Sequence, residues 1–198
     1  MSLGTAERHI TGVGALIVSP ETQPKKFLTI RERYTSKITN KLSGMDLLPM
    51  ETGEVGEQAE DTLGRLFTEE VRISPVIRRL ESCLCVCELA PGVFMHAYLY
   101  EALPNAEPQI GSRVGEVENI GWTPFVDVLN LPQTSLRFRP GVYETVLSYY
   151  DYLENPDRFY SRIFPYNSLR HKVPPQAFKL IERGVSQEEA LSQLGLVG

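Results

Sequence analysis

Residues 51–73, ETGEVGEQAEDTLGRLFTEEVRI, place many acidic side chains around a short amphipathic helix. A repeat of about 3.6 residues per turn produces one apolar stripe, formed by Ala59, Leu63, Phe67 and Val71. Glu70 lies beside that stripe rather than opposite it, so its carboxylate faces surfaces that pack against protein. Because burying an unpaired charge costs several kcal/mol, roughly, Glu70 needs a partner. A divalent cation shared with Glu69 is one such partner, and a solvated helix face is the simpler alternative.

Segments rich in strand-forming residues surround this helix. We predict strands at residues 10–18, 27–32 and 47–49 before it, and a hairpin of residues 76–90 and 93–101 after it. A later helix at residues 140–153 has apolar side chains on one face, among them Val142 and Val146. Strands on both sides of a helix in the chain predict a mixed α/β architecture.

Six residues in the 51–73 segment resemble the Nudix box, whose pattern is Gly, five residues, Glu, seven residues, then Arg-Glu-apolar-any-Glu-Glu-any-Gly-apolar. The residues in register are Glu57, Arg65, Phe67, Glu69, Glu70 and Ile73. The resemblance extends over residues 8–154, with Glu116-Val117-Glu118 and Trp122 similar to the family's late acidic loop and tryptophan strand end. It implies a Nudix-like α/β/α sandwich with a mixed β-sheet, to which this chain adds a helical C-terminal extension.

The resemblance also implies an activity. Nudix hydrolases cleave a nucleoside diphosphate linked to another group, with Mg²⁺ or Mn²⁺ as cofactor. On this pattern Glu69 and Glu70 hold the metal, and Glu57 pairs with Arg65 to brace the box loop. Such a cation neutralises phosphate oxygens and lowers the pKa of an attacking water.

The box also departs from the family pattern at several positions. Met50-Glu51 stands where the family has Gly-Gly, and Arg72 stands where it has the later Gly. Leu66 occupies the position of a glutamate that binds metal and, in some members, acts as base. Losing a general base costs about 10²- to 10⁴-fold in rate. Catalysis therefore needs a substitute acid or is absent.

Candidate substitutes lie elsewhere in the chain. Glu116 and Glu118 are the catalytic candidates, because they follow a polar loop and resemble the late acidic loop. Arg31 and Arg33 are candidates for binding a diphosphate through bidentate contacts. The alternative to a hydrolase is a non-catalytic Nudix-fold module that binds a nucleotide or a protein, and a structural domain without a ligand is a third possibility.

Composition and charge limit the kinds of binding partner to be expected. A formal net charge of −5 and 42% hydrophobic residues predict one main domain that binds neither nucleic acid nor a membrane surface. A nucleotide-type small molecule remains as the expected partner. Three cysteines, Cys83, Cys85 and Cys87, alternate along one strand and are expected to pack in the core. Thiols without a disulfide framework and the lack of a signal-peptide pattern predict a cytoplasmic location.

The composition changes after residue 154. We divide the chain into a Nudix-like domain, residues 1–154, and a C-terminal helical arm, residues 155–198. Arginines alternate there with aromatic residues, and Ser186 with Glu189 forms a capping box for the last helix. The arm is expected to pack on the domain or on a partner subunit, which makes a homodimer a possible assembly.

Overall fold

A computed structural model describes residues 10–20, 25–111, 115–196 and 198. It contains strands β1 (Ile10–Val18), β2 (Lys26–Glu32), β3 (Asp46–Leu47), β4 (Met50–Thr52), β5 (Val71–Arg72), β6 (Val76–Arg78), β7 (Cys85–Ala90), β8 (Val93–Ala102), β9 (Gln109–Ile110), β10 (Val117–Pro124) and β11 (Arg162–Phe164). The helices are α1 (Ala59–Arg65), α2 (Phe125–Leu129), α3 (Val142–Glu154), α4 (Pro175–Glu182) and α5 (Gln187–Gln193). A π-helical turn, Leu66–Glu70, continues α1.

The main sheet is mixed, as the sequence predicts. Its order is β10-β2-β1-β8-β7-β11, with β3 on β2, β4 on β1 and β6 on β8. Strand β1 runs parallel to β8 and antiparallel to β2. A separate pair, β5 and β9, lies beside the π-turn.

Side chains on the two faces of β1 belong to two different hydrophobic clusters. Ala15 and Ile17 face the cluster that contains Leu63 and Leu66 of the box helix. Leu16 and Val18 face the other cluster, which contains residues of α3. Because successive strand residues point to opposite faces, this alternation places helices on both sides of the sheet and produces an α/β/α sandwich.

The predicted hairpin is interrupted where the sequence suggests one continuous strand. Residues 79–84 separate β6 from β7, so only Cys85 and Cys87 lie on the predicted strand, where both are buried. Cys83 precedes β7 and packs against a different core cluster. The break occurs because β6 and β7 both pair with β8, at different parts of that long strand.

The segment after residue 154 is not only helical. Its β11 pairs in parallel with β7 at the end of the sheet, a contribution too short for a period-two pattern to predict. Farther on, Phe178 and Leu191 of α4 and α5 share a core cluster with Leu42 and Met45, which lie between β2 and β3. Ser186 accepts a hydrogen bond from the backbone N–H of Glu189, which is the predicted cap. Among the described residues, no helix has the length and apolar character needed to cross a membrane.

Candidate functional site

Arg65 closes the loop between β4 and α1 through ion pairs with two glutamates. Arg65 donates from Nε and Nη2 to the two carboxylate oxygens of Glu57, at 2.9 and 2.7 Å. The same guanidinium donates to the carbonyl of Thr52 at 2.8 Å and contacts Glu51 at 3.1 Å. The hydrogen bond from Arg65 lowers the pKa of Glu57 to about 2. Glu57 and Arg65 therefore stand together, in the arrangement that the resemblance implies.

Met50 and Glu51 are accommodated without glycine because they are extended in β4, where any residue is allowed. Strand β1 supplies the missing space instead, since Gly14 faces Met50 and Gly12 faces Thr52. A Cβ on Gly12 would lie 2.7 Å from the carbonyl oxygen of Glu51. Arg72 is likewise extended, in β5, so its position needs no left-handed backbone.

Leu66 is a core residue. Its side chain is 0% exposed and packs with Leu63, Val71 and Tyr98. One helical turn later, Glu70 is directed to a small cavity rather than to that core. The leucine thus extends the hydrophobic core to the position where the family's glutamate would stand.

Glu70 and Glu69 differ in surroundings. The backbone N–H of Met50 donates to Glu70 Oε2 at 2.5 Å. Burial raises the pKa of Glu70 well above its ordinary value, with the nearby Glu51 and Glu32 adding to the effect and Arg139 opposing it. Glu69 is half-buried, as Glu70 is, and differs in that its carbonyl lies against Gly111, where a side chain would clash.

The cavity beside Glu70 has a volume of about 120 Å³ and is called here the glutamate pocket. Its charged lining residues are Glu32, Glu51, Glu70, Glu116, Lys41 and Arg139. Lys41 contacts Glu32 at 2.7 Å, and Arg139 Nη1 contacts the other oxygen of Glu32 at 3.3 Å. Burial lowers the pKa of Arg139, while Glu32 and Glu70 raise it.

The other predicted site residues do not share one cavity. Glu116 is exposed and lines the glutamate pocket, but Glu118 interacts with Arg31. Arg31 donates to Asp46 at 2.8 Å and lines a different cavity, together with Trp122. Arg33 is exposed, and its backbone N–H donates to the carbonyl of Glu116 at 3.1 Å. The structure brings Glu70 and Glu116 to one cavity and leaves Arg31 and Glu118 outside it.

The donor set of the glutamate pocket does not fit Mg²⁺ or Mn²⁺. These cations take several oxygen ligands at about 2 Å, whereas Glu32 and Glu51 direct oxygens to Lys41, Arg139 and Arg65. One carboxylate oxygen of Glu70 already accepts a hydrogen bond from the backbone N–H of Met50. Within the described residues, no three acidic, histidine or cysteine side chains are arranged to hold a metal.

A second and larger cavity, called here the box groove, adjoins the box loop. Its volume is about 780 Å³, and it shares Gly12, Val13 and Thr52 with the glutamate pocket. Its other lining residues are Thr11, Gly53, Glu54, Val55, Glu57, Ala59, Thr62 and His96. Burial lowers the pKa of His96, which favours its neutral form. The volume falls within the range of about 300–1,000 Å³ typical of small-molecule sites.

The sequence did not predict that Glu32 and Arg139 pair in the glutamate pocket. Glu32 ends a predicted strand, and Arg139 lies in the run Leu136-Arg137-Phe138-Arg139. The only signal there is alternation, because Phe138 is buried in the α3 core and its neighbour must point elsewhere. Glu51 was visible as a replaced glycine, but its pairing with Arg65 was not.

No family model and no curated protein matches this chain. Among solved structures, the Nudix domain of NrtR from Shewanella oneidensis, complexed with ADP ribose, is 19% identical, with a TM-score of 0.54, over 77% of this chain and 94% of that one. An ADP-ribose pyrophosphatase from Streptococcus suis is 16% identical, with a TM-score of 0.52, over 78% and 98%. A C. elegans Ap4A hydrolase is 13% identical, with a TM-score of 0.56, over 73% and 98%. These similarities extend over most of each chain, and the protein therefore has the Nudix fold.

Proposed function

We propose that this chain is a non-hydrolytic Nudix-fold module that binds a nucleotide-type small molecule without a divalent cation. The observation that carries the proposal is the pairing of Glu32 and Glu51 with cations of the chain itself. Leu66 supports it, since a buried leucine can neither ligate a metal nor accept a proton. Metal-assisted attack on a diphosphate lacks its ligands and its base in this arrangement.

The box groove is the proposed binding site. It has room for a nucleoside, and its wall includes the half-buried ring of His96 and the hydroxyl-bearing residues Thr11 and Thr52. The NrtR domain was solved with ADP ribose, which supports a ligand of this chemical type for a chain of the same fold.

A titration of ADP ribose, ADP and Ap4A by calorimetry, in EDTA and in Mg²⁺, tests the proposal, with turnover followed by ³¹P NMR. We expect binding of at least one compound in EDTA and no new phosphorus signals in Mg²⁺. His96→Ala should weaken that binding, whereas Ile77→Ala, at an exposed position on β6, should not. Absence of binding to all three compounds would contradict the module.

Metal-dependent hydrolysis is the second candidate, because four glutamates line one pocket. This candidate requires the ion pairs of Glu32 with Lys41 and Arg139 to open, so that Glu70 and Glu116 could hold Mg²⁺ or Mn²⁺ and Glu116 could replace the acid missing at Leu66. Turnover that requires Mg²⁺ and is lost in Glu70→Gln would establish this candidate and overturn the first.

A further inference from the structure

Arg139, in the extended segment just before α3, lines the glutamate pocket. Its backbone is fixed beside β3, since Asp46 N–H donates to the carbonyl of Arg137 at 2.7 Å and Arg139 N–H donates to that of Asp46 at 2.9 Å. Phe138 is buried on the α3 side of the sheet. The alternation of an extended segment then directs Arg139 to the opposite side, where it lines the pocket.

Burial holds the guanidinium of Arg139 in place. The residue is only 7% exposed, and its Nη groups donate to Glu32 Oε1 and to the carbonyl of Thr39, both at 3.3 Å. Nη1 also contacts the sulfur of Met50 at 3.6 Å. Removing this guanidinium would leave Glu32 Oε1 without that partner, while Lys41 would still contact Glu32 Oε2 at 2.7 Å.

The carboxylates around Arg139 need a cation. Glu32 is buried, and Glu70 interacts electrostatically with Glu32, Glu51 and Arg139. In a low-dielectric pocket, neighbouring carboxylates repel one another, and either protonation or a positive charge among them relieves that repulsion. A divalent ion is one solution to that problem, and a protein cation is another.

We propose that the guanidinium of Arg139 is a resident cation that takes the place of a divalent metal in the glutamate pocket. The proposal rests on the non-hydrolytic function proposed above and explains how the acidic pocket remains balanced without a metal. Glu32 is the carboxylate that Arg139 contacts, Glu70 lines the same pocket, and Arg65 separately engages Glu51. A divalent cation could enter only if the guanidinium were removed.

The test is Mn²⁺ binding by the full-length chain, measured by electron paramagnetic resonance and by thermal unfolding. Arg139→Met removes the charge and keeps an unbranched side chain. We expect it to bind Mn²⁺ at least about tenfold more tightly than the parent, with the bound fraction lost again in Arg139→Met/Glu70→Gln. Arg139→Lys, which keeps the charge, should bind no better than the parent. Arg137→Met is the matched control, since Arg137 lies two residues earlier, has a side chain that is 40% exposed, and pairs with Asp46 and Asp127 outside the glutamate pocket.

Equal Mn²⁺ affinity in the parent and in Arg139→Met would overturn the proposal. So would Mn²⁺ binding by the parent that Glu70→Gln abolishes, a measurement that does not depend on the folding of the arginine variants. If Arg139→Met is unfolded in EDTA, Mn²⁺ should restore its unfolding transition, and failure to do so counts against the proposal. None of these outcomes involves a nucleotide, so failure of the proposed ligand binding is distinguishable from failure of this inference.

Discussion

Arg65 binds both carboxylate oxygens of Glu57 across eight positions of the chain, and so joins the end of the loop between β4 and α1 to the last residue of α1. The guanidinium also contacts Thr52 and Glu51, so the Arg65 side chain connects α1 both to β4 and to the loop before the helix. Bidentate contacts of this kind depend on the planar fork of arginine, which lysine cannot reproduce.

The first prediction concerns pH and Glu57. Its folded-state pKa of about 2 lies below the ordinary value of 4.5, so its stabilising effect is present above about pH 4.5 and is lost as the pH falls toward 2. Glu57→Gln should therefore lower the melting temperature at neutral pH, and the difference from the parent should shrink on acidification. Circular dichroism melts at several pH values measure this, with the exposed Glu60→Gln as control. A difference that does not change with pH would contradict the mechanism.

The second prediction concerns Leu66, which fills core volume where the family has an acid. Leu66→Ala should lower the free energy of unfolding by about 2–5 kcal/mol, whereas Leu66→Met should cost less than about 1.5 kcal/mol. Leu66→Glu should destabilise the fold, because it places a carboxylate in the core cluster, and should produce no Mg²⁺-dependent turnover, because Arg139 and Lys41 already pair with Glu32 in the glutamate pocket. Urea unfolding and ³¹P NMR measure the two effects. Turnover by a stable Leu66→Glu variant would contradict this prediction, because it would show that a glutamate at position 66 is sufficient to restore hydrolysis.

The third prediction concerns Glu144 of α3, a buried carboxylate that faces the C-terminal segment. One oxygen accepts from the N–H of Arg170 at 2.7 Å, and the other has no hydrogen-bond partner among the described residues. Burial raises the pKa of Glu144, so the protonated form is favoured in the folded state and stability falls as the pH rises above about 4.5. Glu144→Gln removes this pH dependence of stability. The melting temperature of the variant should therefore rise relative to that of the parent as the pH increases. Glu154→Gln, at the exposed end of the same helix, should follow the parent at every pH.

Local patterns predicted much of the architecture. The helix α3 and the cap at Ser186 depend on residues near one another in sequence, and both are present. The four residues of the predicted stripe share one core cluster, but only Ala59 and Leu63 lie on α1, since Phe67 is in the π-helical turn and Val71 in β5. The pairing of Glu57 with Arg65 was accessible for the same reason, because the box fixes its spacing.

The glutamate pocket could not be predicted because its charges come from distant segments. Glu32 and Arg139 are separated by 107 positions, and only the pairing of β3 with the segment before α3 brings them together. Likewise, β11 becomes a strand only because the edge of β7 is available to it. Tertiary contacts rather than local propensity decide such elements.

The fourth prediction concerns the contact between the C-terminal arm and the domain. Phe178 of α4 is 5% exposed and packs in the cluster of Leu42, Met45 and Leu191. Gln187 adds a hydrogen bond to the carbonyl of Ser43 at 2.8 Å. Phe178→Ala removes a buried aromatic ring and should cost about 3–5 kcal/mol where the arm packs. Amide hydrogen exchange should then accelerate in α4, α5 and residues 34–45, while the neighbouring exposed variant Lys179→Ala leaves exchange unchanged. Faster exchange confined to α4 would show that the arm does not hold this loop, and Lys41, which lies in the loop and binds Glu32, would then be positioned by the sheet alone.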